Sequence, residues 1–346
     1  MKYQIEFKTI NLKHKHLFRI SRGARTETPV VLLKLRFGDM NGYGEASMPP
    51  MYGETHQTAI NFLNKIDLNP FNDPFDMDSI LTYVDQIDTG NTAIKAAVDM
   101  AIHDIASKMK GIPLYTYLGL SGVDRVYTSK TIGIDKPDII KKRVLEAAEF
   151  KILKIKLGTR SDKAIIDAIR KVSDKPLYVD ANQGWKNKYT ALDRIKWLHD
   201  HNVVLIEQPM PVDSKKESNW LKARSPLPII GDEGIQRLHD VETAEQFYDG
   251  INIKLVKSTG LNEGLKMIRL ARTKELKVMI GCMAETSCSI SAAFNLVSEA
   301  DYVDLDGNLG ISNDPFTGIK RVDGELINHN LPGIGLINAE ESWNRL

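Results

Sequence analysis

Eight short apolar segments, separated by stretches of helical character, dominate the second part of the chain. Their starts lie roughly 25 residues apart, which suits one strand, one helix and two loops. Strands that alternate with helices pair in parallel through right-handed crossovers, and eight such units close a barrel. The segments are YTSKTIGI (127–134), KILKIKLG (151–158), PLYVDAN (176–182), VVLIEQP (203–209), PIIGDE (228–233), GINIKL (250–255), KVMIGC (277–282) and YVDLDGN (302–308).

The first part of the chain has a different pattern. QIEFKTINL and VVLLKLRFG alternate as strands do, and the basic segment RISRGARTETP between them predicts a turn-rich connection. Residues 42–56, rich in Gly, Pro and Met, predict a loop, and apolar residues at helical spacing predict a helix over 92–109. We therefore expect an N-terminal α+β capping domain (1–122), a (β/α)-barrel of the (β/α)7β type (123–314), and a C-terminal segment (315–346) that packs back on the first domain.

Composition and charge restrict the possible partners. The chain has 346 residues, of which 42% are hydrophobic, and its 46 Lys and Arg residues nearly balance its 45 Asp and Glu residues. No strong basic field is available for nucleic acid or an anionic membrane. No apolar run is long enough for a membrane span, the first residues lack the apolar core of a signal peptide, and two cysteines predict no disulfide framework. These features predict a cytoplasmic protein with a small-molecule partner.

Charged residues end most of the eight apolar segments. In parallel barrels the active site lies at the carboxyl ends of the strands. One charge there could be a satisfied core residue, but a whole series predicts side chains that converge on one mouth. The series comprises Lys154, Lys156, Asp180, Glu207, Asp232, Lys254, Asp304 and Asp306.

Three of these residues are carboxylates on consecutive predicted strands, namely Asp180, Glu207 and Asp232. Three close carboxylates repel one another without a cation, and Mg²⁺ prefers oxygen ligands. Zinc is a weaker candidate because no His or Cys ends these strands. The alternative is a set of surface salt bridges. We expect one Mg²⁺ per subunit.

Two lysines flank the carboxylates from opposite sides. Lys156 ends the second strand and Lys254 ends the sixth, and these strands face each other in an eight-stranded barrel. One lysine could remove a proton from a substrate and the other could return a proton to the opposite face. A lysine acts as a base only if its pKa is depressed, and a nearby cation such as Mg²⁺ or Lys154 has that effect. Lys257 lies beyond the predicted strand end and is a weaker candidate.

These segments resemble a known family. KIKLG, VDANQGW, IEQP, GDE and NIKLVKSTG, together with GIPLYTYLG at 111–119, resemble the enolase superfamily in its muconate-lactonising-enzyme-like subgroup, over essentially the whole chain. The resemblance implies that Asp180, Glu207 and Asp232 bind Mg²⁺. It also implies that Lys156 and Lys254 are the acid/base pair, since enolase-superfamily sites generally combine a Lys or His base with Mg²⁺.

The eighth strand helps to choose among the subgroup's reactions. Alternation places Asp304 and Asp306 on one face, where two carboxylates can receive a cation from the substrate. This pair resembles that of the dipeptide epimerases and implies inversion at the C-terminal residue of Ala-Xaa dipeptides. An N-acylamino acid racemase, an o-succinylbenzoate synthase, a cycloisomerase and a non-catalytic barrel binding protein remain alternatives. An acid-sugar dehydratase is disfavoured because KVMIGCMAET has no histidine.

The side-chain preference depends on the connection between the first two strands. Epimerases acting on Ala-Glu resemble one another in carrying an arginine there, and Gly23 falls at that place in this chain. This departure predicts a small or apolar Xaa, as in Ala-Ala, although Arg22 or Arg25 could still reach the substrate.

Other residues are candidates for the pocket wall by their position in the chain. Tyr52 and the Met-rich loop around Met48 and Met51 could form an apolar wall of the pocket or lie between the domains. Cys282 and Met283 end the seventh strand and are expected to contact the substrate, and Glu285 is expected to support them. Outer helices of such barrels can also associate, so a homo-oligomer is possible.

Overall fold

The computed structural model describes residues 2–346, and its first domain is built on a three-stranded antiparallel sheet. The strands are β1 (Tyr3–Ile20), β2 (Gly23–Phe37) and β3 (Met40–Ser47). The segment RISRGARTETP differs from the prediction, because most of it is strand. Pairing of β1 with β2 continues to Ile20 and Gly23, so the chain reverses only at Ser21 and Arg22.

Helices cover one face of this sheet. A 3-10 turn at Pro50–Tyr52 precedes α1 (His56–Leu63), α2 (Met77–Gln86), α3 (Thr92–Met109) and α4 (Leu114–Tyr117). The helix predicted over 92–109 is confirmed. The loop predicted from residue 42 is wrong for residues 42–47, which belong to β3. Gly42 and Gly44 lie so close to α3 that a β-carbon on either would collide with its backbone carbonyls, so these glycines permit tight strand–helix packing rather than a turn.

All eight predicted barrel strands are present. They form one parallel sheet in sequential order, and seven helices connect them. The strands are β5 (Ser129–Ile132), β6 (Ile152–Lys156), β7 (Leu177–Asp180), β8 (Val203–Glu207), β9 (Ile229–Gly231), β10 (Gly250–Ile253), β11 (Lys277–Gly281) and β12 (Tyr302–Asp304), and a short strand β4 (Arg125–Tyr127) precedes them. The helices are α5 (Pro137–Glu146), α6 (Asp162–Arg170), α7 (Lys188–His199), α8 (Lys215–Lys222), α9 (Leu238–Val241), α10 (Leu261–Thr273) and α11 (Ser287–Phe294).

The first and last barrel strands meet. Leu305 N donates a hydrogen bond to Thr128 Oγ1 at 2.8 Å, and Ser129 Oγ donates to Asp304 Oδ1 at 2.5 Å. A 3-10 turn at Gly307–Gly310 follows β12 where an eighth helix would otherwise stand. The predicted (β/α)7β architecture is confirmed.

Alternation along the barrel strands places the charged residues inside the barrel. On β6, Leu153 and Ile155 join the large apolar core beneath the helices, so Lys154 and Lys156 face the barrel axis. Lys156, Asp180 and Glu207 pair in register across β6, β7 and β8 and therefore lie at one level.

The C-terminal segment contacts both parts of the molecule. Strands β13 (Lys320–Val322) and β14 (Glu325–Ile327) extend β4 into a small antiparallel sheet. Helix α12 (Ala339–Arg345) packs on the first domain, where Tyr43 Oη donates to Glu340 Oε2 at 2.5 Å. Within residues 2–346, no helix combines the length and apolarity that a membrane span requires.

Candidate active site

Three buried carboxylates meet at the mouth of the barrel. Asp180 and Glu207 end β7 and β8, and Asp232 directly follows β9. Each offers an oxygen atom within 4.8 Å of an oxygen atom of the others. The convergence predicted from the sequence is therefore present in the structure.

The electrostatics of this triad favour a bound cation. Burial and the nearby Asp180 raise the pKa of Glu207 to about 8, so its negative charge is costly here. Asn252 Nδ2 donates to Glu207 Oε1 at 3.0 Å, and Asn182 N donates to Asp180 Oδ1 at 2.8 Å, which orients both carboxylates. An all-oxygen donor set of this size suits Mg²⁺.

Lys156 and Lys254 reach the triad from opposite sides. Lys156 Nζ lies 2.6 Å from Asp180 Oδ2, and Lys254 Nζ lies 2.7 Å from Asp232 Oδ2. Burial opposes protonation of Lys254, but Asp232 and Glu207 outweigh it and hold the pKa of this lysine above its ordinary value. Each lysine is therefore paired with a carboxylate of the triad.

Lys154 links the triad to the eighth strand. Its Nζ atom lies 2.7 Å from Glu207 Oε2 and 2.6 Å from Asp304 Oδ2. The side chain is almost fully buried, and the carboxylates, Asp304 foremost, raise its pKa well above the ordinary value against the effect of burial. Lys154 is thus a fixed positive charge between the two carboxylate groups.

Lys257, which the sequence ranks below Lys254, also contacts the triad. The chain turns after β10, with Lys257 N donating to Lys254 O at 2.9 Å, and this turn brings the side chain back into the mouth. Lys257 Nζ lies 2.6 Å from Asp232 Oδ1 and 2.6 Å from the Asp232 carbonyl oxygen. The sequence signal for this contact was the three-residue spacing of Lys254 and Lys257. Residues at this spacing share a face when the chain forms a helical turn.

Asp304 and Asp306 line the same mouth and are held by β5. Asp304 accepts from Ser129 Oγ as well as from Lys154. Asp306 accepts from Lys130 Nζ at 3.0 Å and from Thr131 N at 2.8 Å. These β5 partners could not be predicted from the strand pattern, because they follow only from closure of the barrel.

A cavity of about 340 Å³ opens between the barrel mouth and the first domain. It contacts most of the residues that the sequence analysis selected. Those that line it are Arg25, Met51, Tyr52, Lys154, Lys156, Asp232, Lys254, Cys282, Met283, Asp304 and Asp306.

The predicted pocket-wall residues take different places. Met51 and Tyr52 line the cavity, whereas Met48 lies in the core of the first domain. Burial and the nearby Asp232 raise the pKa of Tyr52 well above its ordinary value, so the phenol stays neutral. Gly23 is the first residue of β2, directly after the turn at Ser21 and Arg22. It is exposed and does not line the cavity.

The end of β11 supports the cavity from the other side. Cys282 Sγ lies 3.2 Å from the Asp304 carbonyl oxygen, and Met283 N donates to Glu285 Oε1 at 3.0 Å. Glu285 is buried and also accepts from Ser289 Oγ at 2.8 Å. Its expected supporting position behind Met283 is therefore seen in the structure.

The tip of the β1–β2 hairpin covers the mouth. Ser21 Oγ donates to the carbonyl oxygens of Ala181 and Asn182 at 3.1 and 3.0 Å. Arg22 Nη1 lies 3.9 Å from Glu233 Oε1, a carboxylate that the sequence analysis did not select. Burial and the adjacent Asp232 raise the pKa of Glu233 to about 7. The first domain thus closes directly over the carboxylate triad.

Known proteins share both parts of this architecture. The N-terminal domain of the mandelate racemase / muconate lactonizing enzyme family matches residues 4–119, and the enolase C-terminal domain-like family matches residues 140–341. The chain is 47% identical over 337 residues to the L-Ala-D/L-Glu epimerase of Bacteroides thetaiotaomicron, covering 97% of this chain and 88% of that protein. It is 40% identical to the L-Ala-D/L-amino acid epimerase of Pedosphaera parvula, covering 93% of this chain and 95% of that protein.

A solved structure extends the comparison. The dipeptide epimerase from Enterococcus faecalis V583, complexed with Mg and the dipeptide L-Leu-L-Tyr, superposes with a TM-score of 0.90 at 30% sequence identity, covering 97% of this chain and 99% of that one. The resemblance stated from the sequence motifs is confirmed, and the chain is an enzyme of the racemase and epimerase kind. It belongs to the mandelate racemase / muconate lactonizing enzyme family of the enolase superfamily.

Proposed function

We propose that this enzyme is a Mg²⁺-dependent dipeptide epimerase that inverts the α-carbon of the C-terminal residue of Ala-Xaa dipeptides. The observation that carries the proposal is the placement of Lys156 and Lys254 on opposite strands, each within 2.7 Å of a triad carboxylate. A 1,1-proton transfer with inversion needs two proton-transfer groups on opposite faces of one carbon atom.

Asp180, Glu207 and Asp232 would hold the metal ion. When bound, Mg²⁺ supplies positive charge that stabilises the substrate carboxylate as its α-carbon loses a proton. The chain's own contribution is to fix three oxygen donors in a buried site, so that this charge acts in a medium of low dielectric constant.

The two lysines carry out the proton transfer. One Nζ atom, in its neutral form, removes the α-proton, and the other, as an ammonium, donates a proton to the opposite face. The carboxylates that hold the pKa of Lys254 high are also the proposed metal ligands. A divalent cation on those carboxylates offsets their negative charge, and this lowers the lysine pKa towards the range of a working base.

Asp304 and Asp306 explain the preference for a free dipeptide. Both line the cavity, and Ser129, Lys130 and Lys154 hold them in place. Two carboxylates at this position suit the α-ammonium of the first residue, which an N-acylated amino acid or a lactone lacks. The names of the relatives support dipeptides as substrates, and they differ in the C-terminal residue, so they leave Xaa open.

The test is an exchange experiment on a panel of substrates. Proton NMR in D₂O with Mg²⁺ would follow the α-proton of Ala-Ala, Ala-Val and Ala-Glu beside their N-acetylated forms. We expect exchange and inversion at the C-terminal residue of free dipeptides, and slower exchange, by at least about tenfold, in the blocked forms, which lack the charged partner of Asp304 and Asp306. Exchange of the blocked forms alone would instead support an N-acylamino acid racemase.

A further inference from the structure

The segment that carries Lys254 is held by the first domain at its far end. This β10–α10 segment (residues 254–260) leads from β10 into α10, whose first backbone N–H groups meet a carboxylate of α3. Leu261 N donates to Asp99 Oδ1 at 2.6 Å, and Asn262 N donates to Asp99 Oδ2 at 3.1 Å. The first N–H groups of a helix have no partner within that helix, so the fully buried Asp99 caps α10 from another domain.

The surroundings of Asp99 are shaped to hold this carboxylate in place. A β-carbon on Gly260 would lie 2.3 Å from Asp99 Cγ, so only glycine at this position leaves room for the contact. On the other side, Asp99 Oδ1 lies 3.3 Å from Nδ1 of the buried His103, one turn further along α3. The carboxylate is therefore restrained between its own helix and the start of α10.

The β10–α10 segment itself is compact, so its two ends are mechanically coupled. Ser258 N donates to the Lys254 carbonyl oxygen at 3.2 Å, and Gly260 N donates to the Leu255 carbonyl oxygen at 3.0 Å. Between them, the side chain of Val256 is buried in the apolar core of the first domain. A displacement of the first residues of α10 is therefore expected to displace Lys254 as well.

The opposite lysine is supported by the barrel. After Lys156, Leu157 N donates to the Asp180 carbonyl oxygen at 2.8 Å, and Thr159 N donates to Asp162 Oδ1 at 2.7 Å. Asp162 begins α6 and belongs to the barrel itself. Contacts of α3 with the start of α10 thus support one of the two lysines, and barrel contacts support the other.

We infer that Asp99 is a positioning residue for Lys254. By capping α10 from the first domain, Asp99 fixes the β10–α10 segment and with it the amine that serves one face of the substrate's α-carbon. The inference rests on the proposed function, in which Lys254 and Lys156 each transfer a proton at one face. It gives the first domain a part in proton transfer, and this part concerns one face of the substrate.

Single-lysine backgrounds separate positioning from a general structural role. In Lys156→Ala only Lys254 can exchange the α-proton, and in Lys254→Ala only Lys156 can. Asp99→Asn keeps the size of the side chain but removes its charge and leaves one N–H group of α10 without an acceptor. Because a small misplacement of a reacting group can cost about 100-fold in rate, this change should slow exchange at least about tenfold in the Lys156→Ala background. In the Lys254→Ala background the change should be less than about threefold.

The measurement is α-proton exchange in D₂O with Mg²⁺. The substrate is whichever of Ala-Ala, Ala-Val and Ala-Glu the wild type exchanges fastest, supplied as both C-terminal epimers. Retained exchange in the Lys254→Ala background also shows that the Asp99→Asn protein is folded.

Asp104→Asn is the matched control, because Asp104 is a second buried carboxylate of α3 that accepts two backbone N–H groups. Its donors, Tyr43 N and Ile334 N, lie in β3 and in the C-terminal segment. It should leave the ratio of the two exchange rates unchanged. An equal effect of Asp99→Asn in both backgrounds, or no effect in either, would overturn the role of Asp99 while leaving the lysine pair intact. Absence of exchange in both backgrounds before Asp99 is changed would instead refute the proposed lysine pair, and the role of Asp99 with it.

Discussion

Lys156 and Lys254 lie four strands apart in a closed sheet of eight, and they therefore face each other across the barrel mouth. The strand count makes this relationship symmetrical, since three strands lie between β6 and β10 in either direction. Between the two ammonium groups lie the carboxylates that each of them contacts. A carbon atom held over those carboxylates is accessible to one lysine from each face.

Metal binding should depend on pH in a defined direction. The pKa of Glu207, about 8 without metal, lies above its ordinary value of 4.5, so below pH 8 a bound cation must displace a proton from this carboxyl group. The apparent affinity for Mg²⁺ should therefore rise as the pH increases towards 8 and level off above it. Calorimetry in buffers of different ionisation enthalpy should detect proton release at pH 7. A pH-independent affinity without proton release would contradict this pKa.

Removing Lys154 should destabilise the barrel when no metal is bound. Lys154→Met leaves Glu207 and Asp304 buried without their shared cation, and breaking such a pair costs about 3–5 kcal/mol. The urea midpoint in EDTA should fall, and Mg²⁺ should restore part of the loss. Lys171→Met, at an exposed position, is the control and should leave the midpoint unchanged. An unchanged midpoint in Lys154→Met would contradict this expectation and show that other groups neutralise Glu207 and Asp304.

The eighth strand should distinguish free from blocked substrates. Asp306→Asn keeps the shape of the side chain and its place at the cavity, but it removes the negative charge offered to the substrate ammonium. The expected loss in kcat/KM for free dipeptides is about 10- to 100-fold. N-acetylated dipeptides, measured at the same enzyme concentration, should change little. An equal loss for both substrate classes would indicate that Asp306 acts only through Lys130 and Thr131.

The hairpin tip should control how well the mouth is closed. Ser21→Ala removes both hydrogen bonds to the β7 loop, at Ala181 and Asn182. Because these bonds tie the hairpin to the barrel rather than contact the reacting carbon, we expect KM to rise up to about tenfold with a smaller change in kcat. The measurement is steady-state kinetics, and the control is Thr26→Ala, at an exposed position of the same hairpin. A fall in kcat alone would argue against a closing role.

The barrel was predictable because its signal is repeated eight times. Most of the segments combine an apolar strand with a charged end, and closure of a parallel barrel brings those ends together. The charges at positions 154, 156, 180, 207, 232 and 254 follow from that rule alone. Asp304 and Asp306 follow from the period of two along a strand.

The residues that were missed depend on geometry that a strand pattern does not contain. Lys257 enters the site through a turn after β10, and Lys130 meets Asp306 only because β5 and β12 become neighbours when the barrel closes. Glu233 belongs to the site because a hairpin from another domain covers it. Gly42 and Gly44 suggested a loop, although they serve close packing against a helix that lies some fifty residues further along the chain.

The most direct test of the central claim is deuterium incorporation by single lysine variants. With Lys156→Ala or Lys254→Ala, epimerisation should stop, because no second group can protonate the opposite face. The remaining lysine should still exchange the α-proton of the one epimer that faces it, with retention, and the two variants should therefore act on opposite epimers of the same dipeptide. If both variants exchanged the same epimer, or if either one still epimerised at the wild-type rate, the two-lysine account would be contradicted.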